Sequence, residues 1–279
     1  MPNIDLHSHS IASDGLLSPR ELVLRAAQHG VDVLALTDHD TVAGLDEARA
    51  AAQEAGIKLV AGVEISVTWN GTTVHVVGLN IDPHHPILQQ GLAGVRSGRV
   101  ERAQRIGAEL ARHGIKGGFE GASALAANKE MVGRSHFARF MVEAGHARNV
   151  AAVFKRYLVK GKPGYVSHPW VELAQAIAWI HASGGVSVLA HPGRYRVSET
   201  GTRSLLEEFK RAGGMALEVV CASHTPELTA RFARLATEYG LLASRGSDFH
   251  GPGESWVEPG RIPGLPVGCK PVWEGASWV

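Results

Sequence analysis

Short β-branched apolar runs alternate along the chain with amphipathic stretches of helical period, which predicts a repeated strand-helix succession. Ser18 followed by Pro19 is typical of a helix start, and the Asn70-Gly71 pair predicts a tight turn between two strands. The predicted strands span residues 4–9, 31–36, 58–67, 72–81, 186–190, 216–220 and 241–244, and the predicted helices span 19–29, 45–55, 173–182, 203–211 and 226–239.

The succession stops between residues 96 and 165, where helical spacing and glycine-rich joints replace the strands. We therefore predict a βα barrel made of residues 1–95 and 166–279, carrying the chemical site. Residues 96–165 are predicted to form an inserted, basic helical subdomain that caps the substrate. The Pro-, Gly- and Trp-rich tail from 259 to 279 is expected to be irregular and to pack on the barrel.

The composition fits this architecture and excludes several classes of protein. A chain of 279 residues with 44% hydrophobic residues and a net charge of +1 is long enough for one barrel-sized domain. No apolar run reaches the length of a membrane span, and the first residues do not resemble a secretory signal. Two cysteines, Cys221 and Cys269, indicate free thiols in a reducing compartment, so we expect a cytoplasmic protein. We also expect no membrane association, and the sequence gives no sign of an obligate protein partner.

The charges are unevenly distributed along the chain. Residues 1–95 hold 4 Lys/Arg and 11 Asp/Glu, whereas residues 96–168 hold 14 Lys/Arg and 5 Glu. An acidic, histidine-bearing segment beside a basic one indicates a metal site facing an anion-binding wall. The alternative explanation is that the basic segment is only the solvated face of its helices.

Ionisable residues stand at the ends of the predicted strands. His7 and His9 are two residues apart on the first strand and therefore point to one face. A single strand histidine such as His75 is usually a hydrogen-bonded core residue, but burying many such groups at one barrel mouth would be costly without a cation. Mixed imidazole and carboxylate donors suit manganese, iron or zinc. The strand-end residues are His7, His9, His39, Glu64, His75, His191, Asp248 and His250.

These residues lie in motifs that resemble the PHP (polymerase and histidinol phosphatase) family of metal-dependent phosphoesterases, which is amidohydrolase-like. The motifs are Asp5-Leu6-His7-Ser8-His9 with Asp14, Thr37-Asp38-His39-Asp40, Gly62-Val63-Glu64, His75, Ala190-His191-Pro192-Gly193 and Ser247-Asp248-Phe249-His250. The resemblance implies a distorted seven-stranded βα barrel and nine ligands for two or three divalent ions, with manganese expected and zinc or iron as alternatives. It assigns His7, His9, Glu64 and Asp248 to a first ion, Glu64, His75 and His191 to a second, and Asp14, His39 and His250 to a third.

Residues 133–139, 161–163 and 190–194 resemble a narrower subgroup, which removes the 3'-phosphate from nucleoside 3',5'-bisphosphates and is similar to 5'-3' exonucleases of short RNA. The resemblance implies substrate contacts by Arg134, Ser135, His136, Lys162 and Arg194, although a helix N-cap and a packed side chain explain Ser135 and His136 equally well. Our mechanistic hypothesis is that a hydroxide bridging two ions attacks phosphorus while arginines neutralise the outer oxygens. Glu64, Asp248 and His191 are the predicted catalytic residues.

Three other functions are compatible with the same ligands. A histidinol-phosphate-type phosphatase would share the metal site, and an exonuclease would use the basic insertion to guide a short RNA. A non-catalytic, metal-stabilised module would keep the ligands without turnover. The phosphate-type arginines favour an enzyme over that module.

Overall fold

Seven strands form one curved sheet in the computed structural model, which describes residues 2–278. The sheet order is β1-β2-β3-β4-β6-β7-β8, with the short β5 paired beside β3. β4 is antiparallel to both of its neighbours, and the other pairs are parallel. The strands are β1 (Ile4–Asp5), β2 (Val33–Leu36), β3 (Lys58–Trp69), β4 (Thr72–Leu79), β5 (Val171–Glu172), β6 (Val186–Leu189), β7 (Ala216–Cys221) and β8 (Leu242–Gly246).

The first and last strands of this sheet meet, so the sheet is nearly closed. The Leu6 N–H donates to the Arg245 carbonyl at 3.0 Å, and Ser8 forms a parallel bridge with Phe249. The protein is therefore a distorted, nearly closed seven-stranded βα barrel, as predicted. β1 is shorter than predicted because residues 6–9 pair with their neighbours through isolated bonds and not through a continuous ladder.

Nine α-helices are present in residues 2–278, and local sequence signals explain several of their ends. Ser18 and Glu21 form a capping box at the start of α1, and Gly56 ends α2 in the left-handed conformation at φ 70°. The helices are α1 (Pro19–Gln28), α2 (Leu45–Ala55), α3 (Pro86–Arg112), α4 (Gly118–Leu125), α5 (Arg134–Glu143), α6 (Val150–Val153), α7 (Leu173–Ala182), α8 (Glu199–Arg211) and α9 (Pro226–Tyr239).

Helix α3 connects two hydrophobic cores. Leu88 and Leu92 in its first half pack into the main core of the barrel. Ile106 and Leu110 in its second half pack into a separate core formed by the helices that follow. The predicted boundary at residue 96 therefore falls inside a continuous helix, which begins ten residues earlier at Pro86.

The tail after residue 258 contains no helix and no strand within the described part of the chain. Val272 is buried against the barrel, and its N–H donates to the Ala243 carbonyl at 2.9 Å. The Gly260 N–H donates to the buried Asp5 carboxylate at 2.7 Å. The tail is irregular and packs on the barrel, in agreement with the prediction. Among residues 2–278, no helix combines the length and the apolar character that crossing a membrane requires.

Candidate metal centre

The structure brings all nine predicted ligands together at one end of the barrel. Their donor atoms form four overlapping groups, and within each group the atoms lie within 4.8 Å of one another. This convergence follows from the fold, because the carboxyl ends of parallel barrel strands and their loops meet at one mouth. The groups are His9, Asp14, His39 and His250; His7, His191 and Asp248; His7, His9 and Glu64; and His39, Glu64 and His75.

Glu64, on β3, lies at the centre of these groups and is fully buried. Its Oε1 lies 2.9 Å from His75 Nδ1 and 2.9 Å from His191 Nε2. Its Oε2 lies 2.9 Å from His39 Nδ1. Burial would raise the pKa of Glu64, but the neighbouring His75, His39 and other imidazoles outweigh burial and hold that pKa well below its ordinary value. Glu64 is therefore an anion available to more than one ion.

Asp248 lies on the opposite side of the same cluster. Its Oδ1 lies 3.1 Å from His9 Nε2 and 3.5 Å from His7 Nε2. Arg194 NH1 lies 2.5 Å from its other oxygen, and this guanidinium together with the histidines overcomes burial and lowers the pKa of Asp248. The backbone of Asp248 is left-handed at φ 52°, a strained conformation that recurs at His191 (φ 25°).

The third group joins the barrel to the helical insertion. Asp14 Oδ1 lies 3.5 Å from His250 Nε2 and 3.9 Å from His39 Nε2. Ser135, from α5, donates its hydroxyl to Asp14 Oδ2 at 2.7 Å. Arg139 donates to the Asp14 carbonyl at 2.6 Å. The insertion therefore fixes one of the predicted ligands from outside the barrel.

The donor set fits divalent cations. Within residues 2–278, eleven buried side-chain nitrogens or oxygens make no hydrogen bond of acceptable geometry, and seven of them belong to predicted ligands, including His7 Nε2, Asp14 Oδ1 and Glu64 Oε2. Buried polar atoms are normally hydrogen-bonded, so the presence of several unpaired donor atoms in one cluster indicates that they bind a ligand such as a metal ion. Imidazole and carboxylate donors are those that zinc, manganese and iron bind.

A second set of buried carboxylates holds the loops that carry these ligands. Asp38 accepts hydrogen bonds from the hydroxyls of Ser10 and Ser13, each at 2.6 Å, and so fixes the loop that leads to Asp14. Asp40 accepts from the Ser66 N–H at 2.7 Å and pairs with Arg99 of α3. These contacts position the ligands without belonging to the cluster.

Sequence reasoning did not identify Glu218, which also belongs to this supporting set. It lies on β7, is 2% exposed, and contacts both His7 and His191. The available signal was a lone carboxylate in the apolar run Ala216–Cys221, because an unpaired charge in a buried strand needs a specific partner.

A cavity of about 200 Å³ opens directly above the cluster. Arg134, Ser135 and Arg194 line it, as does Arg102, which the sequence analysis missed. Burial, followed by the nearby charges of Arg134 and Arg99, lowers the pKa of Arg102 to about 9. The arginines in its lining make the cavity rich in positive charge.

Two predicted substrate residues are not brought into this cavity. His136 is buried, and its Nδ1 accepts a hydrogen bond from the Gly133 N–H at 3.1 Å, so it caps the start of α5. Burial lowers the pKa of His136 to about 4. Lys162 lies in an outer cavity of about 920 Å³ on the insertion. Neither residue is in the lining of the cavity above the cluster.

The chain is similar to known proteins over nearly its whole length. The family model described as PHP domain matches residues 5–220. The chain is 49% identical to a 3',5'-nucleoside bisphosphate phosphatase of Chromobacterium violaceum, over 98% of this chain and 96% of the relative. It is 46% identical to the 5'-3' exoribonuclease Rnm of Escherichia coli, over 97% of this chain and 92% of the relative.

Two solved structures share the fold. An amidohydrolase from Chromobacterium violaceum, with bound sulfate and no metal, superposes with a TM-score of 0.95 at 49% identity, covering 98% of this chain and 95% of that one. A protein from Bifidobacterium adolescentis described as a metal-dependent phosphoesterase superposes with a TM-score of 0.81 at 30% identity, covering 96% and 92%.

Proposed function

The chain belongs to the PHP domain family and is a metal-dependent phosphoesterase, and from this premise we propose that it removes the 3'-phosphate from nucleoside 3',5'-bisphosphates to give 5'-monophosphates. The observation that carries the proposal is the arginine-lined cavity directly above the cluster of imidazoles and carboxylates. A relative from Chromobacterium violaceum that is named for this activity matches nearly the whole chain.

We assign the clustered donors to three divalent ions of manganese, zinc or iron. Bound ions would supply a nucleophile at neutral pH by lowering the pKa of water and would neutralise charge on the phosphate. The assignment gives each ion at least one carboxylate and two histidines, and it makes Glu64 common to the first two. Following the resemblance, the first ion takes His7, His9, Glu64 and Asp248, the second takes Glu64, His75 and His191, and the third takes Asp14, His39 and His250. In the structure, His9 also lies with the donors of the third ion, and His39 with Glu64 and His75.

The arginines would bind the phosphate oxygens that face away from the ions. Arg134 has no carboxylate within ion-pair distance among residues 2–278, so its charge is available to a ligand. Its guanidinium lies 5.8 Å from the centre of the Phe154 ring, which fixes its direction. Arg194 is 41% exposed and already reaches Asp248, so it can hold a phosphate oxygen beside that ligand. We propose that the helical insertion, which supplies Arg134, closes over the nucleotide.

The proposal is tested by phosphate release from a panel of substrates after metal removal and reloading with Mn²⁺, Zn²⁺ or Fe²⁺. We expect nucleoside 3',5'-bisphosphates to be hydrolysed with a higher kcat/KM than 3'-monophosphates, 5'-monophosphates or histidinol phosphate. A preference for the amino-alcohol phosphate would replace the nucleotide assignment. Absence of turnover on every phosphoester by the reloaded protein would support a non-catalytic module.

One observation favours short RNA as a second candidate substrate. The cavity above the cluster shares Arg102, Arg134 and Arg194 with a middle cavity of about 250 Å³, which in turn shares Val159, Lys160 and Arg196 with the outer cavity. Within the described residues, several cations along this route have no carboxylate within ion-pair distance. These cations are Arg102, Arg134, Lys155, Arg156, Lys160, Lys162 and Arg196. Phe154, Tyr165 and Trp170 line the same cavities. A positive groove with aromatic walls is typical of single-strand binding.

The length of the preferred substrate distinguishes the RNA proposal from the bisphosphate proposal. If RNA is a substrate, a 5'-phosphorylated pentamer should bind more tightly than a bisphosphate, with a steeper dependence of KM on salt. Replacing Lys155, Arg156 and Lys160 together by alanine should then weaken the pentamer about tenfold or more and leave the bisphosphate unchanged. Equal effects on both substrates would argue against an extended path.

A further inference from the structure

We propose that Glu218 is a positioning residue that fixes the orientation of His7 and the backbone of His191 toward two of the metal ions. The inference rests on the ligand assignment made above. It does not depend on which phosphoester is hydrolysed.

The contact to His7 determines which ring nitrogen carries a proton. His7 Nδ1 lies 2.9 Å from Glu218 Oε1, and a carboxylate can only accept at that point. With an ion bound, the proton would therefore stay on Nδ1, and the lone pair of Nε2 would face the ion. Nε2 is the atom that points at Glu64 and Asp248 and makes no hydrogen bond. A carboxylate behind a histidine in this way orients the ring and raises its basicity toward a metal.

The contact to His191 supports a strained backbone. The His191 N–H donates to Glu218 Oε2 at 2.5 Å. His191 has φ 25° and ψ 58° and precedes Pro192, a position at which extended conformations are preferred. The same turn places His191 Nε2 beside Glu64 Oε1. One carboxylate therefore holds ligands that are assigned to two different ions.

The contact between Glu218 and His7 is closely packed against β8. A Cβ at Gly246 would lie 2.8 Å from Glu218 Oε1 and 2.2 Å from the His7 Cβ, so only glycine fits there. Among residues 2–278, no lysine or arginine nitrogen lies within ion-pair distance of Glu218. A buried carboxylate without a cationic side chain is retained at a cost, and its two accepted hydrogen bonds account for its presence.

Glu218→Gln is the informative substitution because glutamine has the same shape. Its amide offers one acceptor oxygen and one NH₂ group, so it cannot accept from both His7 and His191. If the oxygen stays with the His191 N–H, the NH₂ group faces His7 Nδ1 and forces the proton onto Nε2. His7 then presents a proton where it should present a lone pair.

The test measures binding of Zn²⁺ alone to the chelator-stripped full chain by competition with a chromophoric chelator. We expect Glu218→Gln to weaken the two ions that use His7 and His191 by roughly 10–100-fold, and to leave the ion at Asp14, His39 and His250 unchanged. The matched control is Glu208→Gln, which removes a carboxylate that accepts from the Trp69 ring N–H at 2.8 Å and lies outside the metal cavity. Equal loss of all three ions, or no loss, would overturn the proposal.

A second measurement holds even if the variant does not fold. In the zinc-loaded wild-type protein, ¹⁵N spectra of labelled histidine should show His7 protonated at Nδ1 and bound to zinc through Nε2. Coordination through Nδ1 would refute the role of Glu218. Because neither readout uses a phosphoester, failure of the nucleotide assignment would leave this result interpretable.

Discussion

At the scale of single residues, the arrangement around Glu64 shows why an acidic side chain is stable in a buried position. Five histidines approach its two oxygens, three at 2.9 Å and two at 3.4 Å. Such a site strongly favours positive charge, which either protons on the histidines or bound metal ions can supply. The same reasoning applies to Asp248, whose outer oxygen pairs with Arg194.

The first prediction concerns these two carboxylates. Glu64→Ala and Asp248→Ala should each lower kcat/KM for phosphoester hydrolysis at least about a thousandfold, because each removes a negatively charged ligand that is assigned to the first ion. Phosphate release and metal content per chain are the measurements. The control Glu208→Gln should keep wild-type turnover. Full activity in either alanine variant would contradict the ligand assignment.

The second prediction concerns His136, which is buried with a pKa lowered to about 4. In the unfolded chain this histidine binds a proton near its ordinary pKa of 6.5, whereas the folded protein resists protonation until about pH 4. Its contribution to stability is therefore complete above pH 6.5 and is lost as the pH falls toward 4, by about 3 kcal/mol at most.

Urea unfolding at several pH values checks this contribution. His136→Asn keeps an acceptor for the Gly133 N–H but cannot titrate. The difference in unfolding free energy between wild type and variant should therefore shift in favour of the variant as the pH falls from 6.5 to 4. A difference that is independent of pH would show that His136 is accessible to protons in the folded state.

At the scale of helices and strands, local signals in the sequence decided which elements could be predicted. Helices α2, α7 and α9 begin and end where the pattern placed them, and Gly56 and Gly240 explain two of these ends. Strand β5 was missed because two residues carry no periodicity, and its pairing with β3 is a tertiary contact. The start of α3 was missed because its first half is a barrel helix and its second half belongs to the insertion.

The third prediction concerns the packing of α3 on α7. A Cβ at Gly91 would lie 2.4 Å from the Trp179 ring, whereas a Cβ at Gly94 meets nothing within 4 Å. Gly91→Ala should therefore destabilise the protein by about 1–3 kcal/mol through overpacking. Gly94→Ala, on the same helix, should stabilise it by about 0.5–1 kcal/mol through helix propensity. Chemical denaturation of both variants measures the contrast, and equal effects would exclude the helix contact as the cause.

At the scale of the whole molecule, barrel topology explains why the nine ligands could be placed from sequence. They follow strand ends, and parallel strands bring those ends to one mouth. Glu218 and Arg102 could not be placed, because Glu218 meets His7 and Arg102 meets the Val166 carbonyl only through packing of distant parts of the sequence. His136 and Lys162 share motifs with cavity residues, yet their side chains point elsewhere.

The fourth prediction concerns metal removal. Bound ions stabilise only the folded chain, because the ligands come together only there. Stripping the protein with a chelator should therefore lower its Tm by several degrees, and adding Zn²⁺ or Mn²⁺ should restore it in proportion to the logarithm of concentration. Differential scanning calorimetry measures both changes. A Tm that does not respond to any divalent ion would mean that the donor cluster stays empty in solution.

The meeting of the first and last strands has a consequence for protein synthesis. His7 is translated before all but the first strand of the barrel, whereas Asp248 and His250 follow β8 and are translated only after the other strands. A nascent or truncated chain that lacks the last strand holds an incomplete set of ligands and cannot retain the full complement of ions. Under the proposed assignment, the first and third ions therefore bind with their full set of ligands only after Asp248 and His250 have been made, whereas the ligands of the second ion all precede β7.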